Sequence, residues 1–133
     1  MDFQIPDDFM EATDPKPVAG GQYDLIVVNV ELGESKSSGA WQADIEIEIQ
    51  GQNALPIHKY LQAPGQEGLK NPDWTLREFK RFCLAFDIPV TPGASFNDII
   101  SGIQGAVASL PLDIEVDETG KYGDKNGIVF PKI

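Results

Sequence analysis

The stretch WQADIEIEIQ, Trp41 to Gln50, alternates without a break: Trp41, Ala43, Ile45, Ile47 and Ile49 fall on one side, and Gln42, Asp44, Glu46, Glu48 and Gln50 on the other. A period of two predicts a strand with one face in a core and the other in water. Upstream, Gly20-Gly21 releases the chain into YDLIVVNVEL, a run rich in β-branched residues and bounded by the polar segment GESKSSG from Gly33. That run predicts a strand before the alternating one. Downstream, a turn at Gly51 to Asn53 leads to a third strand, LPIHKYLQ, residues 55–62.

The period then changes. Asn71 followed by Pro72 supplies a cap and a first-turn proline, and Leu76, Phe79, Phe82, Cys83 and Phe86 recur at helical spacing until Asp87-Ile88-Pro89. This predicts a helix with those five residues inward and Arg77, Lys80 and Arg81 outward. A short second helix starts at Ser95, with Ile99, Ile100 and Ile103 inward. After Gly105, AVASLPLDIEVDE reads as a long strand, TGKYGDKNG as its turn and IVFPKI as its partner strand. Pro111 and Pro131 are confined to edges, bulges or strand starts, because neither donates to a ladder.

Three strands, a helical insertion and two strands is the layout of a mainly β, OB-fold-like five-stranded Greek-key barrel with a helix between strands 3 and 4. A five-stranded sandwich with one helical flap has the same order of elements. Residues 1–19 hold five acidic residues, three prolines and one lysine. They read as an acidic extended arm without a core of its own, and residues 20–133 as a single OB-like domain. Of the chain's 21 acidic and 10 basic residues, 16 and 9 remain in that domain, a charge of -7 against -11 for the whole.

Such a charge repels nucleic acid and anionic membranes on average, but leaves room for a local basic site. The longest apolar runs, such as Leu25 to Val30, are far shorter than the roughly 20 residues of a membrane span, and the first residues are acidic where a signal peptide is basic. The expectation is no membrane contact and a cytoplasmic location. The lone Cys83 fits a reducing compartment.

Little points to catalysis. His58 and Cys83 lie on different predicted elements, and no C-x-x-C, phosphate loop, nucleophile elbow or H-E-x-x-H pattern occurs. We expect no enzyme, no metal site and no cofactor. The Asp44/Glu46/Glu48 row is more simply the solvated face of a strand than an acid–base pair or metal site.

The cations are better placed. In an OB barrel the loops between strands 1 and 2 and between strands 4 and 5 flank one face. Here the first holds Lys36, and the second Lys121, Tyr122 and Lys125. Single-strand binders need cations along the backbone and exposed rings for the bases. Tyr122 between glycines is the first candidate ring, with Lys59 and Tyr60 next, then Trp74 and Arg77 at the start of the helix. Each has a plainer reading. Tyr122 either stacks a base or covers the open end of the barrel, the helix cations are the wet side of an amphipathic helix, and Lys36 is a soluble turn. Trp41 shares a face with four apolar residues, so it is expected in the core. If the Asp44/Glu46/Glu48 row faces the same way as the site, it repels phosphate there.

The segments PVAGGQYD (Pro17 to Asp24), SKSSG before an alternating strand ending in QG, LREFKRFCLAFDI in the helix and YGDKNGIV near the end resemble a family of small phage-encoded OB-fold proteins of replication and recombination modules. The resemblance spans residues 17–130 and implies single-stranded DNA as partner, a host-cytoplasmic location, and a groove at Lys36, Lys59, Tyr60, Lys121, Tyr122 and Lys125. Many members end in an acidic tail that recruits partners; this chain ends in VFPKI, and its acidic, apolar-punctuated segment is DFQIPDDF at the start. Phe3, Asp7, Asp8 and Phe9 are therefore the residues expected to dock on a replication or recombination protein, unless the arm serves solubility alone. An edge strand near Ile133 also makes a homodimer an expectation. The rival reading is an acidic protein-interaction or DNA-mimic inhibitor module that binds no nucleic acid.

Overall fold

The computed structural model describes residues 1–121 and 123–133. Five antiparallel strands, β1 (Gly21–Glu34), β2 (Trp41–Ile49), β3 (Ile57–Gln62), β4 (Val107–Glu115) and β5 (Lys125–Ile128), join in the order β3-β2-β1-β4-β5. Helices α1 (Pro72–Ala85) and α2 (Phe96–Ser101) are inserted between β3 and β4. The sheet curls into a nearly closed, OB-fold-like barrel whose end strands β3 and β5 share no ladder among the described residues.

The barrel is built around β1, which pairs with β4 over Gly21 to Ile26 and with β2 over Leu25 to Glu34. One strand serves two neighbours because it carries a bulge: Val27 is opposite Ile47 and Asn29 opposite Glu46, leaving Val28 as the extra residue. An extra residue shifts the inward parity. Leu25 and Val27 point into the core before the bulge, whereas Val30 and Leu32 pack against it afterwards.

The alternation of β2 is realised. Ala43, Ile45, Ile47 and Ile49 are sealed, and Asp44, Glu46 and Glu48 face out. Trp41 departs from expectation. It stands at the end of the strand, 37% exposed, and its indole Nε1 donates to Asn97 Oδ1 at 2.8 Å. An indole N–H seeks a partner that the apolar interior lacks, so the ring lies across the rim instead.

Helix α1 starts where the sequence places it. The Asn71 side chain accepts from Trp74 N–H at 3.3 Å, and Pro72 occupies the first turn, whose N–H needs no partner. Phe79, Phe82, Cys83 and Phe86 close the open bottom of the barrel, with the Phe82 and Phe86 rings 4.8 Å apart. Leu76 was expected inward and is 57% exposed, because it lies beyond the arc that the barrel covers. The Ser95 hydroxyl caps α2 by accepting from Asp98 N–H, and Ile100 and Ile103 are buried.

Several predicted strand bounds move: β1 runs over Gly21–Glu34 in place of residues 23–32, and β4 over Val107–Glu115 in place of residues 106–118. β3 begins at Ile57, with Leu55 and Pro56 outside it. β5 runs over Lys125–Ile128 in place of residues 128–133, because Lys125 to Ile128 are the residues that meet Glu115 to Leu112 in register. Past Ile128 the chain cannot continue the ladder through Pro131. Phe130 instead turns onto Phe82, ring centroids 6.1 Å apart.

The missing β3–β5 ladder is replaced by side chains and by the arm. Val18 N–H donates to Asn126 Oδ1, and Asn126 Nδ2 donates back to Val18 O, both at 2.9 Å, a reciprocal pair that imitates two ladder bonds. Lys16 N–H donates to Asn53 O, and Asn53 Nδ2 to Thr13 O and Oγ1. Residues 13–18 are thus strapped to the barrel, while residues 1–12 remain exposed, with a short 3-10 turn over Phe9–Glu11.

Candidate nucleic-acid interface

The outer face of β1, β2 and β3 is ordered by cross-strand register. Glu31, Asp44 and Tyr60 form one row, and Asn29, Glu46 and His58 the next. Tyr60 is 56% exposed. His58, two residues before it on the same face, lies nearly parallel to it, with ring centroids 6.4 Å apart and planes inclined by 23°. The two rings make a flat, wet platform of the sort on which bases stack. The spacing of two in the sequence already puts His58 on the strand face of Tyr60; that the two rings lie nearly parallel is what the structure adds.

Two clefts meet at that platform. One, of about 580 Å³, fills the seam between β3 and β5 and is lined by His58, Tyr60, Lys125, Asn126 and Phe130, with Glu115 and Asp124 at its edge. The other follows the β1–β2 turn and is lined by Lys36, Ser37, Gln42 and Tyr60, together with Glu31, Glu34 and Asp44. Tyr60 belongs to both. The fold therefore brings Lys36 and Lys125 to opposite sides of one exposed tyrosine, although they are 89 positions apart in sequence.

Lys59 also lines the seam cleft, but from the inner side of its strand, and the remaining expected residues fall elsewhere. Lys59 is opposite Ile45 in register and so turns to the inner side of the strand, away from Tyr60. Its Nζ pairs with Glu78 of α1 at 3.1 Å and lies 5.0 Å from the centre of the Phe130 ring, so it plugs the seam from within. Successive strand residues point to opposite faces, and Lys59 and Tyr60 cannot share one. Trp74 and Arg77 are exposed on α1 and line neither cleft at Tyr60. Lys125 is the first residue of β5 rather than part of the loop; it pairs with Glu115 at 3.4 Å, with 74% of its own side chain exposed. A pair so exposed is worth little and can be traded for a phosphate.

The β4–β5 loop, residues 116–124, is organised by two carboxylates. Asp117 accepts from Thr119 N–H, Thr119 Oγ1 and Gly123 N–H, and Asp124 accepts from Asp117 N–H. Gly120 and Gly123 take φ of 68° and 79°, where a side chain would be strained. This frame holds the backbone of Lys121 at the loop's tip through the Thr119 hydroxyl. Tyr122, the first candidate ring, lies outside the described residues. Phe3, Asp7, Asp8 and Phe9 of the arm are exposed and lie away from both clefts.

The acidic row does face the platform. Asp44 and Glu46 flank His58: its Nδ1 donates to Asp44 Oδ1 at 2.8 Å, and its Nε2 lies 3.7 Å from Glu46 Oε1. Asp44 also lines the cleft along the β1–β2 turn, with Glu31 and Glu34, so the carboxylates border that cleft as well as the platform. Among the described residues no group of three or more His, Cys, Asp or Glu side chains is arranged to hold a metal ion, and no helix is long and apolar enough to cross a membrane. No protein-family model matches the chain, and no curated protein matches it.

Proposed function

We propose that the protein binds single-stranded DNA without sequence preference, stacking bases on the Tyr60/His58 platform while Lys36 on one side and Lys125 on the other meet the backbone, with Lys121 of the β4–β5 loop as a third phosphate contact. The observation that carries the proposal is that Tyr60 is exposed and borders both clefts. A ring in that position takes a base whichever base it is, since every base has a π face, and stacking contributes about 1–3 kcal/mol per base. The resemblance to phage OB-fold proteins extends the proposal to a phage replication or recombination module.

The outward carboxylates give this binding a particular character. With about three lysines in contact with phosphate, log affinity should fall against log salt with a slope of about -2, far less steeply than for a strongly basic binder. The same carboxylates favour a second reading. Glu31, Asp44, Glu46 and Glu48 present negative charge on one face, as a decoy for a basic DNA-binding protein would.

Anisotropy of a fluorescent oligo(dT), titrated at several salt concentrations, separates the two. DNA binding gives a saturable rise with that shallow slope, weakened for all sequences alike by Lys36→Glu with Lys125→Glu. No response at low salt, with stoichiometric binding of a basic DNA-binding protein, would establish the decoy instead.

A further inference from the structure

A groove of about 590 Å³ runs along α1 beneath the segment 88–94. Phe79 and Phe96 line its floor, and Leu76, Leu84 and Val90 stand open at its rim, 57%, 57% and 43% exposed. Among the described residues Lys80 is the only charged one lining it. Each of the other described clefts includes at least one carboxylate, so in a chain of charge -11 this groove alone combines an apolar lining with a net cation. Its chemistry suits an apolar segment that carries negative charge.

The chain itself has such a segment. In DFQIPDDFME, residues 2–11, Phe3, Ile5, Phe9 and Met10 are 58–79% exposed and lie beside Asp2, Asp7, Asp8 and Glu11. Exposed aromatic and aliphatic side chains at that density mark a docking element rather than a solubilising tail.

We infer that the arm of one copy docks in the α1 groove of a second copy, with Phe3 and Phe9 in the apolar lining and the Asp7-Asp8 pair at Lys80. The strap explains why the occupant comes from another molecule. Residues 13–18 are fastened to Asn53 and Asn126 on the seam side, where Glu78 of α1 also points. Lys80 lies about 200° around the helix from Glu78, so the groove opens on the far side of α1. A chain's own arm would have to cross the outside of that helix, whereas a neighbour's arm enters directly. The contact is heterologous: each copy offers one arm and one groove, so association closes by reciprocal exchange or continues as a row. The arm's expected partner is thereby another copy of this chain.

Sedimentation velocity of three full-length proteins tests this: the unaltered chain, an arm variant (Phe3→Ser with Phe9→Ser) and a groove variant (Leu76→Glu with Leu84→Glu). All four substituted residues are exposed, so folding should survive, and Lys80→Glu serves as a milder groove variant. The unaltered chain should associate above its 14.5 kDa monomer as concentration rises. Each variant alone should associate at least about tenfold more weakly. An equimolar mixture of the two should form a mixed dimer and nothing larger, because one intact arm then meets one intact groove. A monomeric unaltered chain, an arm variant that associates normally, or an inert mixture would each overturn the inference. If the unaltered chain is monomeric, hydrogen exchange at residues 76–84 tells whether its own arm covers the groove: arm-dependent protection means that it does, and no such protection means that the arm has no place there.

Discussion

The two sides of this barrel are held together differently. On the closed side, β1 and β2 pair over nine register positions, and behind them Leu25, Val27, Ile45, Ile47 and Ile49 are sealed from water. On the seam side, β3 and β5 share no ladder among the described residues, and the gap is bridged by the Lys59–Glu78 pair, the Phe130 ring, the Asn126–Val18 clasp and the strapped arm. Stability therefore resides in the first side. The exposed Tyr60 and His58 rings and a cleft of about 580 Å³ lie along the second.

Three experiments break or sharpen that contrast. Ile45→Ala on the closed side should cost about 2–5 kcal/mol in urea unfolding, because the side chain is fully buried and a cavity remains, and oligonucleotide affinity of the folded fraction should hold. Asn126→Ala at the seam removes three hydrogen bonds, to and from Val18 and to Asp113 O, in a partly exposed site. It should cost about 1–2 kcal/mol and speed exchange of the Val18 amide well beyond that of the β1–β2 amides. Equal exchange in both regions would erase the distinction.

The smallest effect concerns Cys83, where burial pushes the thiol from its ordinary value near 9 up to about 11. A group that holds its proton more tightly when folded stabilises the fold below the unfolded value and ceases to do so as pH rises through the folded one. Unfolding free energy should thus decline more between about pH 9 and 11 for the unaltered chain than for Cys83→Ala. At pH 8 the folded thiol should react slowly with a thiol reagent, and a rate equal to that of the unfolded chain would contradict its burial.

The sequence was legible wherever a local rule decides the outcome. The alternation of β2, the Asn71-Pro72 start of α1 and the Ser95 cap each depend on residues within a few positions of one another, and each stands as read. The β1 bulge was hidden because LIVV is apolar at every position, so a parity change leaves no mark. The bounds of β5 depend on its register with β4, and Lys125 moved from loop to strand for that reason. The Asn126–Val18 clasp joins residues 108 positions apart and has no local signature. For the site, Lys36, Tyr60 and Lys125 were legible as types. Their meeting at Tyr60, and the diversion of Lys59 into a buried-side ion pair, required the curvature of the barrel.

The central claim rests on one ring, and paired measurements on Tyr60→Ala test it. Because the side chain is more than half exposed, the urea midpoint should scarcely move, while affinity for oligo(dT) should weaken by about 1–3 kcal/mol, roughly 5- to 150-fold. Unchanged affinity with the fold intact would contradict the account.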